Sequence, residues 1–262
     1  MENDMIDIIF TEIGKLKRYP ILKAGLIVVI LSDLFGFVPV LANDGVRKDF
    51  TLLMNNILES NCVYFFPAMI ILIGGFIARR EYTDDTLKNI LTVPVSLRKL
   101  LLGKVFVLFF MTILFSAFSV LSGILLCFAA GLPDCTLPFL VEWTARIILG
   151  NALLFVAVLP FTIVSTLFAD AVYACTATGF VYGFFASMES AMLNYHPVKA
   201  VLILVNSQCG AGYDFVHYSK VVASITLLAI FLISATLFVL LKPAGTQSKA
   251  RTLKKITRVK GW

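Results

Sequence analysis

Six apolar blocks, at residues 21–41, 61–78, 105–130, 147–169, 171–188 and 221–241, limit what this chain can become. Each is near the roughly 20 apolar residues that a helix needs to cross a bilayer. Lipid offers no partner to a free N–H or C=O, so only helices and closed barrels span it. Barrel strands would alternate in polarity, and these runs do not. Hydrophobic residues make up 59% of the 262 and charged residues only 15%, with a mean hydropathy of +0.92. Soluble domains carry about 25% charge. The sequence predicts an all-α integral membrane protein of six transmembrane helices forming a single domain over residues 1–262. Residues 1–20 form an amphipathic interfacial helix, 21–241 the six-span bundle and 242–262 a basic tail.

The first twenty residues hold Glu2, Asp4, Asp7 and Glu12 and make a poor signal-peptide n-region, so the first span is expected to act as its own insertion signal. The bases set the orientation. With the N-terminus inside, only Arg47, Lys48, Arg146, Lys199 and Lys220 of the 22 bases face outward. That asymmetry predicts a multi-pass protein of the cell membrane with both termini cytoplasmic. It also accounts for the net charge of +6 without nucleic acid. Met5, Ile6, Ile9, Ile13 and Leu16 recur at helical spacing and suit the inner leaflet. The tail places Leu253, Ile256 and Val259 among bases. It reads either as a segment held by anionic lipid or as a solvated tail that completes the charge asymmetry.

Loops are expected at 42–60 and 131–146, the latter with Trp143 as an interfacial anchor, and at 189–220. Within the last, 196–206 is apolar but too short to cross and fits a re-entrant outer segment before span six. The five cysteines have no metal-like spacing, so no metal site is expected; they read as packing residues or, near the outer face, as one disulfide. Asp33 lies inside the first span, where an acid costs about 2.5–3.5 kcal/mol. It reads as a pathway residue, or as a hydrogen-bonded packing carboxyl near Asn151. Gly179 and Gly183 form a small-xxx-small pair that lets another helix approach. Pro67 and Pro160 are candidate kink sites.

The polar stretch ARREYTDDTLKNILTVPVSLRKLLLGK, residues 78–104, falls on the cytoplasmic side. Thr83 or Asp84 can cap a short helix, and Asp84 and Asp85 suit its positive end. Leu87, Ile90 and Leu91 share one face, and Asp84 and Lys88 pair at i, i+4. Pro94 ends that helix and Ser96 caps the next. Such a helix is an ordinary surface helix or a lever joined to spans two and three.

This stretch resembles the segment between spans two and three in permease subunits of the type-2 ABC exporter family. Arg80, Glu81, Thr86, Lys88, Asn89, Leu91, Pro94 and Ser96 match, and Asp85 stands where that family often has Gly. The form is most like permeases of lantibiotic-immunity and bacitracin-resistance exporters. The resemblance implies a coupling helix, including Arg80, Glu81, Asp84, Asp85, Thr86, Leu87, Lys88, Asn89 and Leu91 with a hinge at Pro94 and Ser96, seated in a separate ATPase. It implies a second permease, the same chain or a different one, and an amphipathic peptide antibiotic as cargo. This chain would bind no cofactor; ATP and Mg would sit on the partner. RKLLLGKV at 98–105 has the Gly-Lys of a phosphate loop, but Arg98 and Val105 replace its first Gly and its hydroxyl. A non-transporting sensor is the second reading. A membrane enzyme using Glu189, His196, Asp214 and His217 is the third, without a metal-binding His spacing to support it.

Overall fold

The computed structural model describes residues 9–14, 20–43, 45–83, 97–206, 209–210 and 217–241. Every regular element among them is helical. Five helices are long and apolar enough to cross a membrane: Ile21–Leu41, Phe50–Arg79, Arg98–Ala130, Leu137–Leu167 and Lys220–Leu240. We label α1 Ile21–Phe37, α2 Phe50–Ser60, α3 Phe66–Thr83, α4 Leu97–Ala130, α5 Leu137–Leu167, α6 Val172–Phe185, α7 Pro197–Val205 and α8 Lys220–Leu240. The protein is therefore a multi-pass helical membrane protein.

Two expected loops are largely helix. Residues 42–60 turn helical at Phe50, where the Asp49 carboxylate caps α2 by accepting the Leu52 N–H at 2.8 Å. Phe50, Leu53, Met54, Ile57 and Leu58 then repeat at helical spacing and are all buried. Polar Asn55, Asn56, Glu59 and Asn61 mask this stripe in a hydropathy reading. The 131–146 loop shrinks to a turn before Leu137, because Glu142 and Arg146 neutralise each other on a helical face. Trp143 is not a lipid-facing anchor: it is buried, with the Arg146 guanidinium 4.9 Å from its ring centroid. The fifth block is shorter than expected. Its helix α6 has 14 residues, about 21 Å at 1.5 Å per residue, and it ends in turns before Ser190.

Helices α2 and α3 are joined by a π-helical stretch, Asn61–Phe65, inside one apolar run. The wider turn interrupts the i→i−4 ladder, a feature frequent at functional sites. Around this joint, α3 packs on α5 and α6, α1 packs on α2 and α4, and α7 packs on α5 and α8. All five cysteines are free thiols.

Candidate functional site

The most polar part of the buried bundle gathers at the π-helical joint. Ser119 donates to an Asp33 carboxylate oxygen at 2.6 Å, and Ser122 donates to the other oxygen. Asn61 donates its amide to Ser119 Oγ at 2.9 Å and accepts from Ser32 Oγ at 2.7 Å. Ser60 donates to the Ser32 carbonyl at 2.8 Å. The chain thus links α1, the α2–α3 joint and α4 through side chains that are almost fully buried, except for the part-buried Ser122. Asn151 is not the partner of Asp33. It lies on α5, its amide atoms have no hydrogen-bond partner, and Asp33 turns toward α4. Sequence reasoning missed the two serines; their i, i+3 spacing on one face of α4 was the available signal.

A second cluster lies on α7, which also touches the π-helical joint. Lys199 is buried on α7 and donates to Glu189 Oε1 at 2.6 Å and to the carbonyls of Ala186 and Met188 at 3.3 and 3.2 Å. Tyr218 donates to Glu189 Oε2 at 2.5 Å, and its ring centroid lies 5.3 Å from Lys199 Nζ. The cation meets carbonyls left free as the chain leaves α6, so the cluster ties that exit to α7 and to the start of α8. His196 begins α7, where its Nδ1 accepts the Lys199 N–H at 3.4 Å and its ring lies against Tyr182. Burial, then the Lys199 charge, lowers its pKa to about 4. Burial pushes the nearby Cys209 thiol up to about 11. Asp214 lies outside the described residues. Among the described residues, no cluster of His, Cys, Asp and Glu could hold a metal.

The coupling segment is only partly placed. Arg80 and Glu81 occupy the last turn of α3. Asp84, Asp85, Thr86, Leu87, Lys88, Asn89, Leu91, Pro94 and Ser96 lie outside the described residues, as do the tail and residues 1–8 and 15–19. Where α4 begins, Arg98 donates to the Val239 carbonyl of α8 at 2.9 Å. One turn and a half further, Lys104 pairs with Glu12 of the N-terminal segment at 2.6 Å. The helix that follows the segment, α4, is therefore fastened both to α8 and to the N-terminal segment.

Gly179 and Gly183 face the α2–α3 joint. A Cβ at Gly183 would collide with the Val63 carbonyl and lie 2.9 Å from Pro67, and one at Gly179 would collide with Ile71. Helix α6 thus packs backbone to backbone on the stretch that carries the π-turn.

The match to known proteins falls on this architecture. A family model described as ABC-2 family transporter protein matches residues 8–186, from the N-terminal segment through α6. The chain belongs to the ABC-2 transporter family. It is therefore a membrane transport component, and the family implies an ABC ATPase partner. The chain is also 30% identical over 98 residues to the bacitracin transport permease protein BCRB of Bacillus licheniformis. That match covers 37% of this chain and 47% of the relative, so the chain spans less than half of the relative's length. No solved structure matches.

Proposed function

We propose that this chain is the permease subunit of an ATP-driven exporter that removes an antimicrobial peptide, lantibiotic or bacitracin-like, from the membrane and so confers immunity or resistance. The observation that carries the reading is the family match across residues 8–186, which contains the whole 78–104 segment. Similarity to a bacitracin permease favours a peptide cargo over an ion. In this reading α6 is the fifth of six spans, α7 is a re-entrant outer segment and both termini are cytoplasmic. Two permeases, identical or different, pair over a cytoplasmic ATPase that binds ATP and Mg. The coupling helix includes Arg80, Glu81 and residues from Asp84 to Leu91, with a hinge at Pro94 and Ser96; Leu87 and Leu91 fill an apolar cleft and Glu81, Asp84 and Asp85 face donors on the ATPase. Burying each leucine stabilises the contact by about 1.5–3 kcal/mol, while the charges set register. Asp33, whose two oxygens are both engaged by serines, serves packing rather than passage.

The test is co-purification with the ATPase, together with survival of cells exposed to the peptide. Leu87→Asp is expected to release the ATPase, and Glu81→Lys to leave it bound but uncoupled. Wild-type capture and protection by Leu87→Asp would refute the coupling assignment. A sensor would keep ATPase capture yet show no peptide efflux from vesicles.

A further inference from the structure

We propose that the cavity between the end of α1 and the end of α2 is a binding site for the ammonium group of an amphipathic amine. The cavity holds about 190 Å³ and is lined by Phe35, Pro39, Asn56, Glu59, Ser60 and Tyr64. That is several times the ~30 Å³ share of one liquid water. Its floor is fixed by close approach: a Cβ at Gly36 would lie 2.9 Å from the Ile57 Cα and 3.0 Å from the Asn56 carbonyl.

Glu59 is the group that asks for a ligand. It sits part-buried within the apolar run Phe50–Arg79, yet no hydrogen bond or ion pair reaches its carboxylate among the described residues. The nearest competing cation, Lys199, is held by Glu189 at 2.6 Å and by two carbonyls. A part-buried acid without a hydrogen-bond donor is costly, and a bound cation offsets that cost. The other polar groups fit the same ligand. Asn56 lines the cavity, and its amide nitrogen is buried with no partner while its oxygen is not, which leaves the oxygen as the accessible second acceptor. Ser60 Oγ spends its proton on the Ser32 carbonyl and keeps lone pairs for an N–H donor. Phe35 and Tyr64, edge to face at 5.1 Å, supply aromatic walls suited to a cation.

The ligand's apolar part is defined next door. Phe35 and Tyr64 also line a second cavity, of about 360 Å³, whose remaining walls are Phe65, Phe180, Val181 and Phe184. A polar cavity with one carboxylate thus shares two aromatic residues with a wholly apolar one. A molecule filling both carries an amine at one end and a hydrophobic body at the other. A lysine-bearing amphipathic peptide and an aminolipid both offer that chemistry; only the identification of the amine with exported cargo rests on the exporter reading.

The test uses the purified full chain in nanodiscs of phosphatidylglycerol and phosphatidylcholine, with dansylcadaverine, a primary amine on an apolar fluorophore, as probe. Saturable binding is expected, weakened at least about ten-fold in Glu59→Gln and again when the probe's amine is acetylated; Glu59→Asp should retain part of it. Displacement by added phosphatidylethanolamine identifies a lipid source. Displacement by a lysine-containing amphipathic peptide, but not by its acetylated form, identifies a peptide source. Equal binding by wild type and Glu59→Gln, or displacement by neither competitor, overturns the proposal. The assay needs no ATPase, so ATPase capture without Glu59-dependent binding refutes this site alone, and the converse refutes the exporter reading alone.

Discussion

The Lys104 ammonium donates to the Glu12 carboxylate at 2.6 Å across 92 residues of sequence, and both side chains are buried. Taking two charges out of water is costly, and their close contact offsets part of that cost. The pair fixes the N-terminal segment against the base of α4, the helix that follows the coupling segment.

Removing one partner of that pair should lower stability, because the other charge loses its buried 2.6 Å contact. Lys104→Met and Glu12→Leu are expected to lower the detergent-solubilised melting temperature sharply. The double variant should recover much of the loss. Thermal unfolding followed by size-exclusion fluorescence measures all three, and a double variant as weak as the singles would mean that packing, not charge, dominates the site.

Asp33 offers a sharper contrast. In Asp33→Asn the amide can still accept from one serine and donate to the other, so folding should be nearly unchanged. Asp33→Leu takes away the acceptor of the Ser119 hydroxyl, while Ser122 keeps the Ser119 carbonyl at 3.0 Å, at about 1–3 kcal/mol for the unsatisfied group. Expression and thermal stability should fall in Asp33→Leu and stay near wild type in Asp33→Asn. If Asp33→Asn instead abolishes protection at normal expression, the carboxylate acts in passage and the packing assignment is wrong.

The long apolar helices were legible because lipid imposes one rule, an unbroken run of apolar residues. The rule fails where protein replaces lipid as the surroundings. Helix α2 was read as loop because Asn55, Asn56 and Glu59 dilute its hydropathy, although its buried stripe from Phe50 to Leu58 keeps the helical period. The N-terminal stretch of α5 was lost for the same reason at Glu142 and Arg146, which cancel each other as an i, i+4 pair. Asp33 stood out as an intramembrane acid, yet its partners did not, since serines are common in spans and pairing them needs the fold. Glu59 was passed over because it fell in a presumed loop, where a carboxylate needs no explanation.

Gly183 tests how closely α6 must approach. An added methyl would meet the Val63 carbonyl, which is backbone and cannot swing aside. Gly183→Ala is expected to cost about 1–3 kcal/mol through forced separation of the helices, and Gly183→Leu to prevent stable folding. The equivalent Gly179→Ala meets the end of the Ile71 side chain, which can change rotamer, so its cost should be smaller. Melting temperatures in the order wild type, Gly179→Ala, Gly183→Ala would support this packing; the reverse order for the two alanines would contradict it.

Orientation is the premise on which coupling rests, and it is open to direct measurement. In a variant lacking the five native cysteines, single cysteines at Asp44, Asp134 and Asp214 should react with an impermeant thiol reagent applied to intact cells. Cysteines at Asp85 and Gln247 should react only after lysis. Asp134 is well placed for this use: it lies in the turn between α4 and α5, pairs with Arg47 of the α1–α2 loop and is partly exposed. Labelling at Asp85 from outside would invert the bundle, move residues 84–96 away from any cytoplasmic ATPase and overturn the coupling mechanism, while leaving the helix packing as described.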